Sequence, residues 1–294
     1  MNNNKHNHVK SPGSSGKTKL TSLLKYAGNK QNLMDQIRPF FNWEGVERYI
    51  EPFAGAMGSA FNADIPQGVA YHLSDVNDEL INFYDAVRSD PAAVEALSNS
   101  WACDEVTYYS IRGWDRQSNW KNETSCIDRA ARTIYLNRRG FNGLYRINRK
   151  GYFTTPWGHN TSPAPIEITQ KADFLKFLAG ATVHCSSWQA AVEGGRKGDL
   201  IYCDPPYVDI KNPTEDFGGY VGNFGMKEQE ELRDKLFLAA ERGARVVISN
   251  SYCDATLHLY EGWQVEEIFA TRRLGSNTAT RGRTPEVLAW LPSS

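Results

Sequence analysis

The chain has 294 residues, 40% of them hydrophobic and 23% charged, and its formal net charge is −1. These values are ordinary for a soluble globular protein, and no apolar run is long enough to span a bilayer as a helix. The length suits one large domain or a domain with a sizeable insertion. A net charge near zero would count against nucleic-acid binding if the charges were evenly spread.

The N-terminus and the cysteines bear on the compartment and on metal binding. Residues 1–20 are rich in Asn, Lys, Ser, Gly and His, cannot bury a core, and are predicted to be a disordered tail. They lack the apolar core of a signal peptide, so we expect a cytoplasmic protein with no membrane partner. An odd number of single cysteines favours reduced thiols over a zinc site, and we predict no bound metal. The cysteines are Cys103, Cys126, Cys185, Cys203 and Cys253.

A loop with a lysine at each end follows the tail. Lys25 and Lys30 flank Tyr26-Ala27-Gly28-Asn29, and a helix is predicted over residues 33–40. Taken alone, this stretch is more typical of a turn into an amphipathic helix than of a loop that contacts a ligand.

The next segment has a strand–turn–helix–strand pattern. Residues 46–50 are β-prone and lead into the glycine-rich turn Glu51-Pro52-Phe53-Ala54-Gly55. Glycine lets a backbone approach a ligand closely, and the helix expected after the turn offers free N–H groups. A second predicted strand, residues 69–75, ends at Asp75, which lies 20 residues beyond Gly55. An acid at that distance can accept the two ribose hydroxyls of a nucleotide-like ligand.

Residues 88–180 differ in character, being rich in Trp, Tyr, Ser and Asn with few strand signals. Ser125 is a predicted helix N-cap with Asp128 as its reciprocal acid. Residues 132–150 contain six basic side chains and no acidic one, among asparagines and aromatics. Asn pairs with adenine, Arg with guanine or phosphate, and an aromatic ring can wedge into a base stack. We therefore favour nucleic-acid contact over a merely solvated face.

The α/β pattern resumes after residue 180. Predicted strands lie at 182–186, 200–204, 245–249, 264–269 and 286–291, with a helix at 226–240. A second basic loop without an acid, residues 272–283, joins the last two strands, and phosphate contact is favoured there over plain solvation. We predict a Rossmann-like α/β fold with a mostly parallel sheet and a C-terminal antiparallel hairpin. Residues 21–87 and 181–294 would form this domain, and 88–180 would be an inserted, mostly helical recognition domain.

The strand at 200–204 runs into Asp204-Pro205-Pro206-Tyr207, which proline geometry makes a stiff turn. The turn displays a carboxylate, backbone carbonyls and a flat ring at the sheet edge where α/β proteins bind ligands. A carboxylate and a carbonyl can each accept an N–H of an aromatic amine, which localises its lone pair for attack on a sulfonium methyl group. A turn with only a structural role is the less favoured alternative. The turn itself does not distinguish adenine from cytosine.

Together these motifs resemble those of Dam-type N6-adenine DNA methyltransferases, in the order of that family, from Leu23 to Leu291. The motifs are Leu24-Lys25-Tyr26-Ala27-Gly28-Asn29-Lys30, Glu51-Pro52-Phe53-Ala54-Gly55, Leu73-Ser74-Asp75-Val76-Asn77, Asp204-Pro205-Pro206-Tyr207, and Arg138 to Arg146 with Pro156-Trp157-Gly158. The resemblance implies methyl transfer from S-adenosylmethionine to N6 of an adenine flipped out of double-stranded DNA, at GATC, by a monomer or weak dimer. One departure is Met57, because the family usually has Phe-x-Gly-x-Gly and the second glycine here is Gly58.

The resemblance also carries roles onto individual residues. The catalytic residues would be Asp204, Pro205, Pro206 and Tyr207. The cofactor-binding residues would be Tyr26, Ala27, Gly28, Lys30, Glu51, Phe53, Gly55, Asp75 and Asp204. The DNA-binding residues would be Lys25, Arg138, Phe141, Asn142, Leu144, Arg146, Asn148, Pro156, Ser276, Asn277 and Arg281. In this last group Lys25 falls on the reader of the first base pair and Phe141 on the intercalating aromatic.

Other functions stay open at this point. Methylation of N4 of cytosine needs the same amine geometry. A non-catalytic DNA-binding relative would keep the scaffold, although the intact Asp204 and Tyr207 argue against it. RNA or protein as the acceptor is disfavoured by the basic hairpin, and a place in a restriction–modification system is compatible with the sequence.

Overall fold

The computed structural model describes residues 20–148, 150–160, 162–210, 224–271 and 283–291. The disordered tail predicted for residues 1–20 lies outside these ranges except for Leu20, and so does the basic loop up to residue 282. Within the same ranges, no helix combines the length and apolar character that crossing a membrane requires.

The described residues form one seven-stranded sheet in the order β3-β2-β1-β4-β5-β7-β6. The strands are β1 (Arg48–Glu51), β2 (Ala70–Asp75), β3 (Thr182–Cys185), β4 (Asp199–Cys203), β5 (Arg245–Ser251), β6 (Gln264–Thr271) and β7 (Arg283–Leu291). The first five are parallel, and β7 pairs antiparallel with both β5 and β6. The predicted Rossmann-like sheet with its antiparallel C-terminal hairpin is confirmed.

Helices cover the sheet and fill the segment between β2 and β3. They are α1 (Met34–Ile37), α2 (Gly58–Phe61), α3 (Asp78–Ser89), α4 (Pro91–Ser100), α5 (Glu105–Arg112), α6 (Trp120–Glu123), α7 (Cys126–Arg139), α8 (Ala172–Gly180), α9 (Trp188–Glu193), α10 (Met226–Glu241) and α11 (Asp254–Leu259). Helix α3 packs against both β3 and α7, so the helical segment rests on one side of the sheet. Helices α9 and α10 pack together, and α10 packs on β5.

One predicted helix is shorter than the sequence pattern indicates, and the helix expected after the glycine turn is a single turn. In place of one helix over 33–40, α1 is a single turn between two 3₁₀ turns, the second of which contains Pro39 near its start. Helix α2 is also one turn, and the Asn62 side chain donates to the Gly58 carbonyl at its end. The predicted cap of α7 is confirmed, because the Ser125 side chain accepts the Asp128 N–H.

Side-chain alternation along the central strands divides the apolar core between the two faces of the sheet. Tyr49, Tyr202 and Val247 belong to the cluster on one face, whereas Ile50, Ile201 and Val246 belong to the other. On the face that carries Tyr49, Tyr202 and Val247, the side chains two residues further along each strand are polar and lie near the carboxyl ends of the strands. These side chains are Glu51 after Tyr49, Asp204 after Tyr202 and Ser249 after Val247. On β7, which runs the other way, Glu286 precedes the buried Leu288 on the same face.

Candidate active site

The turn Asp204–Tyr207, called the Asp204 turn below, is held from beneath by two buried amides. The Gln229 side chain of α10 donates to the Pro206 carbonyl over 2.7 Å. The Asn250 amide of β5 donates to Gln229 over 3.0 Å and accepts the Val208 N–H over 3.1 Å. Asp204 directly follows β4, and the other end of the turn is bonded to α10 and β5. The backbone that carries the Asp204 carboxylate is therefore held in place.

The Asp204 carboxylate contacts the Lys30 ammonium group and the hydroxyl of Ser249, and the Tyr207 hydroxyl also favours its charged form. Its Oδ1 accepts from Ser249 Oγ over 2.8 Å and lies 3.2 Å from Lys30 Nζ. The Ser249 hydroxyl also lies 3.0 Å from the hydroxyl of Tyr202. Burial raises the pKa of Asp204, although the nearby Lys30 and Ser249 favour its charged form.

Tyr207 and Glu286 complete this cluster. The Tyr207 hydroxyl donates to Glu286 Oε2 over 2.8 Å. Lys30 Nζ lies 3.5 Å from the same oxygen and 4.3 Å from the centroid of the Tyr207 ring. One buried ammonium group therefore touches two carboxylates and the face of an aromatic ring. Burial raises the pKa of Glu286, with Lys30 acting in the opposite direction.

A cavity opens beside this cluster and is called the central cavity below. It holds about 940 Å³ outside the protein atoms, including the part open to solvent. Eight of the nine predicted cofactor residues line it: Tyr26, Ala27, Gly28, Lys30, Phe53, Gly55, Asp75 and Asp204. The wall also includes residues that the sequence reasoning missed: Val76, Ser187, Trp188, Gln189 and Phe224. Most of these follow the carboxyl end of a strand, which is the one signal in the sequence that could have found them.

Asp75 is oriented by backbone groups. Its two oxygens accept the N–H groups of Gly55 and Asn77, each over 2.9 Å. Gly55 has φ +46°, and a Cβ there would lie 3.2 Å from the Tyr26 ring. Glycine is therefore needed both for the backbone conformation and for the close approach of the ring. Burial raises the pKa of Asp75, and these N–H groups oppose that rise.

Glu51 does not line the central cavity. It is fully buried beside it, where it accepts from Tyr49 over 2.7 Å and from the Ser59 hydroxyl. Burial raises its pKa to about 8, so the carboxyl group is mostly protonated at neutral pH. Met57 is also fully buried and has a left-handed φ of 58°. Its side chain packs in the core and is not part of the cavity wall.

A short hairpin follows α7 and is called the 140–158 hairpin below. Antiparallel bridges join Gly140 with Trp157 and Ile147 with Phe153. At its base the Phe141 N–H donates to the Pro156 carbonyl over 2.9 Å. Several of the predicted DNA-binding side chains are exposed on or beside it: Lys25, Phe141, Asn142, Arg146, Asn148 and Pro156. Leu144 is half-buried, and Asn142 has a left-handed φ of 55°.

Three of the arginines in the basic stretch form ion pairs or hydrogen bonds with other groups of the protein. Arg132 is buried and pairs with Asp115 over 2.7 Å. Arg139 is buried and donates to the Ala164 carbonyl. Arg138, predicted to bind DNA, is half-buried and donates to the Leu23 carbonyl over 2.6 Å. The positive surface of the hairpin is therefore smaller than the sequence alone suggests.

The hairpin is fastened to the loop that lines the central cavity. Asn137, fully buried near the end of α7, accepts the Lys25 N–H over 2.9 Å and donates to the carbonyls of Lys25 and Gly143 over 2.7 and 3.0 Å. The Tyr145 ring lies 5.6 Å from that of Tyr26, between centroids, and its hydroxyl accepts from Asn77 over 3.3 Å. The hairpin, the Lys25–Lys30 loop and the Asp75 strand end thus meet at one place.

Comparison with known proteins shows which family the chain belongs to. Residues 26–274 match the family model described as D12 class N6 adenine-specific DNA methyltransferase. The chain belongs to that family. It is 34% identical over 278 residues to a DNA adenine methylase of Vibrio cholerae, with 92% of this chain and 96% of the relative covered. It is 32% identical to the DNA adenine methylase of Escherichia coli K12 and 31% identical to a type II methyltransferase of Lactococcus lactis, each over 92% of this chain and 95% of the relative.

Membership of this methyltransferase family explains why the polar cluster around Asp204, the central cavity and the 140–158 hairpin lie next to one another. Ser276, Asn277 and Arg281, also predicted to bind DNA, lie outside the described residues. Among the residues that are described, no group of three or more His, Cys, Asp or Glu is placed to hold a metal ion. The sequence reasoning missed Gln229, Ser249, Asn250 and Glu286, none of which belongs to a recognisable local motif.

Proposed function

We propose that this protein transfers the methyl group of S-adenosylmethionine to N6 of an adenine flipped out of double-stranded DNA, with GATC as its site. The observation that carries the proposal is that Asp204 lines the same cavity as Gly55 and Asp75. One cavity can then hold a methyl donor against the acceptor turn. The family to which the chain belongs supports adenine as the base and DNA as the substrate.

The Asp204 turn activates the amine by positioning it. The Asp204 carboxylate accepts one N–H of the exocyclic amine, and we assign the second to the Pro205 carbonyl, since Gln229 already engages that of Pro206. Two acceptors draw the nitrogen toward tetrahedral geometry and localise its lone pair. The Tyr207 ring offers a face on which the extrahelical base can stack. Once methylated, the nitrogen loses one proton, which Asp204 is placed to receive.

The residues of the central cavity fit S-adenosylmethionine. Asp75 presents a half-buried carboxylate suited to the ribose hydroxyls. Phe53 and Trp188 lie 6.4 Å apart between ring centroids, and Phe224 meets Phe53 edge-on at 5.6 Å, which gives an apolar aromatic wall for a purine. When bound, the donor supplies an electrophilic methyl group on a sulfonium, and its carbon–sulfur bond breaks as the carbon–nitrogen bond forms. Glu51 lies behind the cavity wall and accepts a hydrogen bond from Ser59, which itself lines the cavity. We assign Glu51 the role of orienting the Ser59 hydroxyl.

We assign DNA recognition to residues 88–180 and catalysis to residues 21–87 and 181–294. The exposed Phe141 side chain, 47% accessible at the base of the hairpin, is suited to enter the base stack vacated by the adenine. Arg146 is exposed on the same hairpin and carries a fork that can read a guanine. Leu144 and Pro156 are assigned to apolar contacts with base edges, and Lys25 to the first base pair.

The proposal is tested by the product. The protein is incubated with S-adenosylmethionine carrying a deuterated methyl group and with a duplex containing one GATC, and the digested nucleosides are separated by mass spectrometry. A duplex with the four bases rearranged is the control. We expect labelled N6-methyladenine from GATC only.

Each other product would overturn a different part of the proposal. Labelled N4-methylcytosine without N6-methyladenine would refute the acceptor base. Equal labelling of the rearranged duplex would refute GATC as the site. Binding of the duplex with no transfer at any base would refute catalysis and favour a DNA-binding relative that keeps only the scaffold.

A further inference from the structure

We propose that Glu286 is a positioning residue for the transfer: it orients Tyr207 and receives Lys30 when the target amine takes Asp204. This inference rests on the proposed function. Glu286 lies on β7, far along the chain from the Asp204 turn, and no part of the motif pattern points to it. It acts through Tyr207 and Lys30 and not on the reacting atoms themselves.

The position of Glu286 is unusual for a carboxylate. Its relative exposure is 9%, and the next three residues of β7, Val287, Leu288 and Ala289, are fully buried apolar side chains. It also shares one ammonium group, that of Lys30, with a second carboxylate, the half-buried Asp204. Two carboxylates close together disfavour each other's charged form, so an apolar residue at position 286 would stabilise the sheet more than glutamate does. The contacts that Glu286 makes with Tyr207 and Lys30 are therefore the most direct explanation for a carboxylate at this position.

One contact fixes the stacking surface. The Tyr207 hydroxyl donates to Glu286 Oε2 over 2.8 Å. Tyr207 follows two prolines, which restrain the backbone before it, and this hydrogen bond restrains the far end of its side chain. The plane of the ring is then set before a base arrives, which reduces the ordering that base binding would otherwise require.

The other contact resolves a conflict at Asp204. Lys30 Nζ lies 3.2 Å from the Asp204 oxygen and 4.3 Å from the Tyr207 ring centroid. These are the two groups that the target base needs, since its amine must bond to Asp204 and its ring must lie on Tyr207. Because Lys30 lies over one face of the Tyr207 ring, a base that stacks on that face must displace the ammonium group.

Glu286 provides the destination. Its Oε2 is already 3.5 Å from Lys30 Nζ, so a small movement of the lysine side chain exchanges one carboxylate for the other. Without that second carboxylate, the base would have to leave a buried ammonium group unpaired, which is strongly unfavourable. Lys30 thus keeps a partner in both states, and Asp204 becomes free to accept the amine.

Glu286→Gln tests this role because glutamine keeps an acceptor for the Tyr207 hydroxyl but removes the charge that receives Lys30. Glu267→Gln, the same change at an exposed position on β6, is the matched control. The duplex carries 2-aminopurine in place of the adenine that the wild type methylates, and its fluorescence reports entry of the base into the site. Single-turnover rates on the unmodified duplex, donor affinity and thermal unfolding are measured beside it.

We expect Glu286→Gln to lower the single-turnover rate by roughly 10- to 100-fold and to reduce the 2-aminopurine signal, with donor affinity unchanged. Adding Lys30→Met should restore the fluorescence signal, because no ammonium group is left over the face of the Tyr207 ring. The single-turnover rate of Glu286→Ala should be lower than that of Glu286→Gln, because alanine also removes the acceptor for the Tyr207 hydroxyl. In a Tyr207→Phe background, which lacks that hydroxyl, the two variants should have the same rate. A merely structural role for Glu286 predicts no such rescue.

Three results would overturn the inference. They are wild-type rates in both Glu286 variants, a lost signal that Lys30→Met does not restore, and a rate loss matched by an equal loss of folded protein. If the wild type itself transfers no methyl group, the proposed function fails first. If the wild type methylates normally while Glu286→Gln is indistinguishable from Glu267→Gln, only the inference fails.

Discussion

Replacing Glu51 by glutamine should change how the stability of the protein depends on pH. Glu51 is fully buried on β1 and accepts from Tyr49 and Ser59, and burial raises its pKa from an ordinary 4.5 to about 8. In the unfolded chain the carboxyl group loses its proton near pH 4.5, whereas in the folded protein it keeps the proton to about pH 8. Between these values the folded state binds more protons, so stability falls as pH rises.

The size of the effect follows from one bound proton. Each pH unit inside that window changes the free energy of unfolding by about 1.4 kcal/mol for one group. From about pH 6 to about pH 7.5, Glu51 should therefore lower the free energy of unfolding by roughly 2 kcal/mol. Glutamine has nearly the shape of a protonated glutamate and cannot ionise, so Glu51→Gln should lose this part of the pH dependence.

The assay is urea unfolding followed by tryptophan fluorescence at the two pH values. Taking the difference between wild type and variant cancels most of the contribution of other titrating groups, including Asp204 and Glu286. Glu44→Gln, which removes an exposed carboxylate ahead of β1, is the control. Parallel pH dependences for the wild type and Glu51→Gln would refute the assignment of a protonated, buried Glu51.

Three further variants test the site and its support. Asp204→Asn should lower the single-turnover rate by about 10²–10³-fold, because the amine loses its charged acceptor; rates are measured at saturating donor and DNA. Asn137→Ala should lower the free energy of unfolding by about 1–3 kcal/mol, measured with urea, because it leaves buried backbone groups of Lys25 and Gly143 without their partner. Arg146→Ala should reduce discrimination between GATC and single-base variants by about 1–3 kcal/mol, measured by competitive methylation.

Each of these has an outcome that would count against it. A near wild-type rate for Asp204→Asn would remove this carboxylate from the chemistry. An unfolding curve for Asn137→Ala that matches that of Asn122→Ala, a change at an exposed position, would show that the three hydrogen bonds of Asn137 contribute little. Uniformly weaker methylation of all sites by Arg146→Ala would assign Arg146 to a phosphate and not to a base.

Much of the fold could be predicted from local patterns. The strands around Tyr202 and Val247 are recognisable because strands buried on both faces have continuous apolar sequence. The turn at Asp204 is recognisable because proline ends a strand regardless of what packs around it. The helix over 33–40 was predicted too long, since apolar spacing says little about how two 3₁₀ turns divide such a segment.

The basic stretch shows where composition misleads. Six basic residues between positions 132 and 150 indicate one positive surface. In the structure Arg132 turns inward to Asp115 and Arg139 to a backbone carbonyl, because both project from the buried side of α7. The direction of a helical side chain depends on which face packs against the rest of the protein, and the position of the partner helices is not written in the stretch itself.

By itself the sequence determined the elements that depend on neighbouring residues: the Asp204 turn, the glycine turn with Asp75 after it, the capped α7 and the order of the motifs. Only the tertiary structure decided which side chains from distant strands meet. Tyr207 and Glu286 are 79 positions apart and bond because β7 runs antiparallel beside β5. The protonation of Glu51 likewise depends on burial, since desolvation is a property of the surrounding packing and not of the residue. For the same reason the proposed exchange of Lys30 between two carboxylates has no counterpart in the linear motif pattern.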